Sequence, residues 1–151
     1  MQLFILRHGQ AEPLELDDAA RQLTERGRAQ VNWVCDRRRH ELASVRTIWA
    51  SPYQRARQTA QIVADHLQLP VHIQELLTGD TPPQRVLEAL AGAGPFPLLL
   101  ASHQPLVGSL VNGLCGSGGA HPMGTASLAC LSADVWANGC AGLNWLQHPE
   151  P

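Results

Sequence analysis

A chain of 151 residues that is 44% hydrophobic and 16% charged has the apolar mass for a packed core and is expected to form one domain, residues 1–151. Its net charge of -2 argues against a nucleic-acid binder that relies on bulk positive charge. No run approaches the roughly 18 consecutive apolar residues of a membrane span, and the apolar start meets a charge at Arg7, so neither a membrane partner nor a secretory leader is expected. Cys35, Cys115, Cys130 and Cys140 lack the spacing of a metal knuckle or a redox motif. They read as reduced core thiols of a cytoplasmic protein.

Residues 2–6 (QLFIL) form a short apolar run suited to a buried strand, which ends at Arg7-His8-Gly9. The polar, acidic residues 10–21 read as a loop, in which Glu12, Asp17 and Asp18 are expected to be solvated charges. Thr24 is placed to cap a helix running to about Leu42, with Gly27, Val31, Val34, Cys35 and Leu42 on its buried face. Residues 47–50 make a second strand. Ser51-Pro52 then opens a helix with Ser51 as cap and Ala56, Ala60, Val63 and Leu67 buried. A third strand over 70–73 precedes a helix starting at Thr81-Pro82-Pro83, with Val86, Leu87, Leu90 and Ala91 inward. A fourth strand, 97–101, ends at Ser102-His103, and Pro105 starts a further helix. Residues 116–119 read as a flexible loop, followed by two strands near 125–131 and 143–148. Strands alternating with helices predict an α/β fold: a doubly wound, mostly parallel sheet with helices on both faces and an antiparallel edge strand.

Open α/β sheets place their sites beyond the carboxyl ends of the strands. Three such ends here carry Arg7-His8, Ser51-Pro52 with Arg55 in the next helical turn, and Ser102-His103. Parallel strands would gather two arginines and two histidines at one edge, a receptor for a tetrahedral dianion. Arginine matches phosphate oxygens with a planar fork, and a neutral imidazole is a competent nucleophile at pH 7. A second, protonated imidazole would stabilise charge on the transferring group.

The ordered blocks RHG (7–9), LTERG (23–27), SPYQRARQT (51–59) and SHQPLVG (102–108) resemble those of the histidine phosphatase superfamily, which includes the cofactor-dependent phosphoglycerate mutases. The short chain, the SHQPLVG form and Asn144-Trp145 are most similar to the SixA phosphohistidine phosphatase subgroup. The resemblance implies hydrolysis of a phosphoryl group through a phospho-His8 intermediate. Arg7 and Arg55 would hold the phosphoryl group, His103 would be the second pocket histidine, and a phosphohistidine-bearing protein domain would be the partner. It implies no cofactor and no metal. Larger relatives supply a general acid from the segment after the third strand, where Glu75 and Asp80 stand here, and Glu75 is the candidate.

Two rival readings stay open: a phosphatase of small phosphate esters, and a phosphoprotein-binding module without turnover. Against other classes, there is no nucleotide-binding P-loop and no cysteine followed six positions later by arginine. Ser102 and His103 are adjacent on an extended chain, so their side chains point apart and make no dyad. Only about forty residues separate the SPYQRARQT helix from the fourth strand, which leaves a thin cover for the pocket.

Overall fold

Residues Gln2–Arg7 form strand β1, with its four central side chains buried. A run that is apolar at every position suits a strand covered on both faces. The same holds for β2 (Thr47–Ala50), which is buried at all four residues. The short β3 (Val71–Ile73) is largely exposed, whereas β4 (Leu98–Ser102) is buried throughout. The remaining strands are β5 (Leu128–Ala133) and β6 (Ala141–Gln147). These elements come from a computed structural model, which describes residues 1–14, 16–116 and 121–150. Most of the expected 116–119 loop therefore lies outside the described residues.

The six strands run in the order β3-β2-β4-β1-β5-β6. The first four are mutually parallel, as a βα alternation requires. β5 lies antiparallel to β1, and β6 antiparallel to β5. The α/β, mostly parallel sheet is thus as expected, but the antiparallel edge is a pair of strands. Two strands joined by a short connection can pair antiparallel directly, with no crossover helix.

Alternation along the strands divides the core into two layers. Leu3, Ile5, Leu98, Leu100, Ala129 and Leu131 face α4 (Pro83–Ala91) and α5 (Leu106–Cys115). Phe4, Leu6, Ile48, Leu99, Leu128 and Cys130 face α1 (Glu25–Arg37) and α3 (Gln54–Leu67). Each fully buried leucine in these layers contributes roughly 1.5–3 kcal/mol relative to exposure.

Thr24 caps α1 as expected, its hydroxyl accepting from the Gly27 N–H. The helix stops earlier than expected: Arg38 leaves helical geometry, and a separate turn, α2 (Arg39–Leu42), follows. That break lets Arg38 lie 3.9 Å above the Trp145 ring and pair with Glu41, while Leu42 reaches the core. Leu67 is only half-buried and Ala91 is exposed, since each sits at the last turn of its helix, where the core ends. Among the cysteines, Cys35 and Cys130 are buried thiols, but Cys140 is exposed in the connection before β6.

Candidate active site

Register places the chemistry. Arg7 is paired with Ser102 across β1 and β4, so His8 and His103 leave the sheet side by side. The His8 N–H bonds to the Ser102 carbonyl at 3.1 Å, and the Ser51 N–H bonds to the Ala101 carbonyl at 3.0 Å. Three adjacent strands therefore open on one pocket. His8, Arg55 and His103 are all more than nine-tenths buried there. The two imidazoles lie with ring centroids 5.1 Å apart.

His8 is fixed in one tautomer. Its Nδ1 lies 2.7 Å from the Gly9 carbonyl oxygen. A carbonyl only accepts, so Nδ1 carries the proton and Nε2 holds a free lone pair. The Arg55 Nε–H points at that lone pair from 3.4 Å, a long contact that an incoming oxygen can replace. Burial, and secondarily the charges of Arg55, Arg7 and Arg21, push the His8 pKa down to about 4, against an opposing effect of the Gly9 hydrogen bond. The imidazole is therefore neutral at pH 7.

Backbone crossings hold this turn in place. The Gly9 N–H donates to Thr59 Oγ1 at 3.1 Å, and the same hydroxyl donates to the Arg55 carbonyl in α3 at 2.8 Å. A Cβ on Gly27 would overlap the Gln10 carbonyl, so the LTERG glycine allows α1 to pass directly beneath the RHG turn. The Gln10 side-chain oxygen accepts from the Thr24 hydroxyl, bracing the start of α1.

Arg7 donates through Nη1 to the Met123 carbonyl at 3.1 Å, and its buried Nε has no partner among the described residues. Burial first, and then the Arg55 charge, lower its pKa. His103 Nε2 lies 2.7 Å from the Ser51 hydroxyl, while its buried Nδ1 also has no partner among the described residues. Burial, followed by the proximity of His8 and Arg55, pushes the His103 pKa down to about 3. Tyr53 packs against His103 at 5.2 Å between ring centroids and lies 5.2 Å from the Arg55 guanidinium carbon. Ser51 is thus no helix cap, because α3 begins later, with Tyr53 at its N-cap. Its hydroxyl accepts from the Tyr53 N–H and orients His103 instead.

The pocket brings Arg7, His8, Arg55 and His103 together. Glu75 sits exposed in a single 3₁₀ turn, Glu75–Leu77. It lines a cleft of about 660 Å³ with Asp80 and Arg85, whose walls include none of the four pocket residues. The same segment runs close to the site at Gly79, where an added Cβ would strike the Gln104 carbonyl beside His103. Asp18, read from sequence as a solvated loop charge, is instead bonded to Arg55. Tyr53 and Thr59 were also missed as site residues, and Ser51 was read chiefly as a cap. The available signal was their spacing around Arg55 within one block, since Arg55 and Thr59 are one helical turn apart. Among the described residues, no group of three His, Cys, Asp or Glu side chains could hold a metal ion.

A neutral imidazole with its lone pair directed at an arginine N–H, beside a second imidazole and another arginine with open donors, is a receptor built for phosphoryl chemistry. The sequence profile of the histidine phosphatase superfamily (branch 1) matches residues 3–78. The phosphohistidine phosphatase SixA of Escherichia coli (strain K12) is 37% identical over 160 aligned positions, covering 99% of this chain and 94% of that protein. A SixA homolog of Haemophilus influenzae is 34% identical, covering 77% and 78% of the two chains. The solved structure of the protein histidine phosphatase SixA complexed with tungstate superposes with a TM-score of 0.88 at 31% identity, covering 99% of this chain and 97% of that one. The chain belongs to the histidine phosphatase superfamily.

Proposed function

We propose that this enzyme is a phosphohistidine phosphatase acting on a phosphohistidine-bearing protein, with His8 as nucleophile. The observation that carries the reading is the tautomer lock: Nδ1–H on the Gly9 carbonyl leaves the Nε2 lone pair free beside Arg55. In the first step His8 Nε2 forms a bond to phosphorus as the P–N bond of the substrate breaks. The departing imidazole nitrogen takes a proton from solvent. In the second step water attacks phospho-His8, releasing inorganic phosphate and restoring Nε2. The open donors of Arg7 and the edge of Arg55 beside His8 grip the phosphoryl oxygens. His103 is neutral in the free protein, and the bound dianion favours its protonated form, so its Nδ1–H can meet charge on the transferring group.

Two observations support the substrate class. The phosphohistidine phosphatase SixA is similar over nearly the full length of both chains. Between α3 and β4 the chain supplies only β3, one 3₁₀ turn and α4, so little covers the pocket. A small ester is normally buried on most sides, whereas a thin cover admits a histidine projecting from a folded protein. An alkoxide leaving group depends on a proton donor, whereas an imidazole leaves readily. A cytoplasmic location and a role in signalling through phosphohistidine are part of the same proposal.

The test is phosphate release from a phosphohistidine protein measured against a panel of sugar, nucleotide and phosphoserine esters. A clear preference in kcat/KM for the protein is expected. An ester hydrolysed a hundredfold better would overturn the substrate class and leave the nucleophile standing. Alkaline quench during turnover should retain phosphate on His8, and His8→Ala should abolish both labelling and release. Release by that variant at a tenth of the wild-type rate would remove His8 from its role.

A further inference from the structure

A guanidinium has two edges that can each grip a pair of oxygens, one formed by Nη1 and Nη2 and the other including Nε. In Arg55 the first is occupied by one residue. Nη1 donates to the Asp18 backbone carbonyl at 2.7 Å, and Nη2 donates to Asp18 Oδ2 at 3.2 Å. The other edge is turned to His8, with Nε 3.4 Å from Nε2. Asp18 stands in a 3₁₀ turn, Asp18–Ala20, started by Asp17, whose carboxylate accepts from the Ala19 N–H. Its remaining oxygen, Oδ1, accepts from Arg21 Nη1 at 3.0 Å, and Arg21 is itself anchored through Nε to the Glu12 carbonyl at 2.7 Å. The loop is therefore braced on both sides of the carboxylate.

We infer that Asp18 is a positioning residue of the phosphoryl site, holding Arg55 by one edge so that the other is presented to the group on His8. The inference rests on the proposed phosphoryl transfer at His8. Without the Asp18 carboxylate the guanidinium keeps the Nη1 bond to the Asp18 backbone carbonyl, the Tyr53 ring 5.2 Å away and the long contact to His8, and loses the second point that fixes its rotation. Its donors would then be distributed over several orientations, only some of which face the incoming oxygens. Asp18 is the acidic group whose charge opposes the three neighbouring positive or imidazole groups acting on His103. The Arg55 side chain is 7% exposed and that of Asp18 is 45% exposed. A half-exposed pair of this kind adds little to folding stability, so its main consequence falls on orientation. The carboxylate is no candidate proton donor, because the Arg21 hydrogen bond first, with Arg55 assisting against partial burial, holds its pKa below the usual range.

The experiment compares wild type, Asp18→Ala, Asp18→Asn, Arg55→Ala and the Asp18→Ala/Arg55→Ala double variant, each shown folded by circular dichroism at the assay temperature. Tungstate affinity is read by calorimetry, and kcat/KM is read on a phosphohistidine protein. Asp18→Ala should weaken tungstate binding and lower kcat/KM by about 10–100-fold, the usual effect of losing a group that orients a site ligand. Asp18→Asn keeps the backbone carbonyl and can turn its one amide oxygen to Arg55, giving up the bond from Arg21, and should recover most of the loss. In the Arg55→Ala background, removing Asp18 should change neither quantity further. Asp18→Ala within twofold of wild type, Asp18→Asn as poor as Asp18→Ala, or the same loss without Arg55 would each overturn the role. A wild-type protein with no affinity for tungstate would overturn the phosphoryl site itself along with this inference. Tungstate binding with no release from any phosphohistidine protein would count against the proposed substrate alone, and Asp18 would still be judged on tungstate affinity.

Discussion

At pH 7 both pocket imidazoles are neutral, because burial before all else pushes His8 down to about 4 and His103 down to about 3. Their proton NMR resonances in the free protein should therefore not shift between pH 5.5 and 8. A titration midpoint near 6.5 for either ring would show that solvent reaches the pocket freely. The arginines differ from lysine in a way that the geometry exposes. Arg55 uses Nε, Nη1 and Nη2 on three different acceptors, which a single ammonium cannot reach together. Arg55→Ala and Arg7→Ala should each lower kcat/KM by about 10²–10³, the range for loss of a preorganised charge contact. Arg55→Lys should restore only part of that loss. Full activity in Arg55→Lys, in the same steady-state assay, would show that charge alone suffices.

Among the elements, β1, α1 and α3 meet at the RHG turn, and two small features hold the meeting. Alanine is normally better than glycine inside a helix by about 1 kcal/mol. At Gly27 in α1 the opposite is expected, because the added Cβ would strike the Gln10 carbonyl and the backbone must move. The overlap should outweigh the propensity gain and leave Gly27→Ala destabilised by roughly 1–3 kcal/mol in urea unfolding. In α3, Thr59→Val keeps the shape but removes the oxygen that accepts from the Gly9 N–H. An unsatisfied buried donor costs about 1–3 kcal/mol, and the RHG turn should lose definition with it. Thr59→Val with wild-type stability and wild-type turnover would show that the turn needs no support from α3.

For the molecule as a whole, the site is an electrostatic load on folding. The folded pKa values of His8 and His103 lie below the ordinary imidazole value of 6.5. As pH falls below 6.5 the unfolded chain binds protons first, so stability is full above that value and lost progressively toward pH 4. For His8 alone the loss amounts to roughly 3 kcal/mol, at 1.36 kcal/mol per unit. Urea unfolding at pH 7, 5.5 and 4.5 should show a steeper decline in wild type than in a His8→Asn/His103→Asn variant. Parallel declines would place the acid sensitivity elsewhere. Chelators should leave turnover unchanged, since the proposed chemistry runs on imidazole and guanidinium groups alone. Loss of activity in EDTA, restored by zinc or magnesium, would overturn that mechanism.

The amino-acid sequence by itself determined the strands and the residues at their ends. Apolar runs such as 97–101 announce a strand covered on both faces, and a parallel sheet must bring the carboxyl ends of its strands to one edge. That is why Arg7, His8, Arg55 and His103 could be read together as one site. Only the tertiary structure decided what orients them. Asp18 meets Arg55 across 37 residues, Gly9 meets Thr59 across 50, and His103 meets Ser51 across 52. The tertiary structure also set Glu75 in an exposed turn lining another cleft and made the antiparallel edge a pair of strands. Periodicity reports which face of an element is buried. It carries no information about which loop folds back onto which side chain, because that depends on packing between elements distant in sequence.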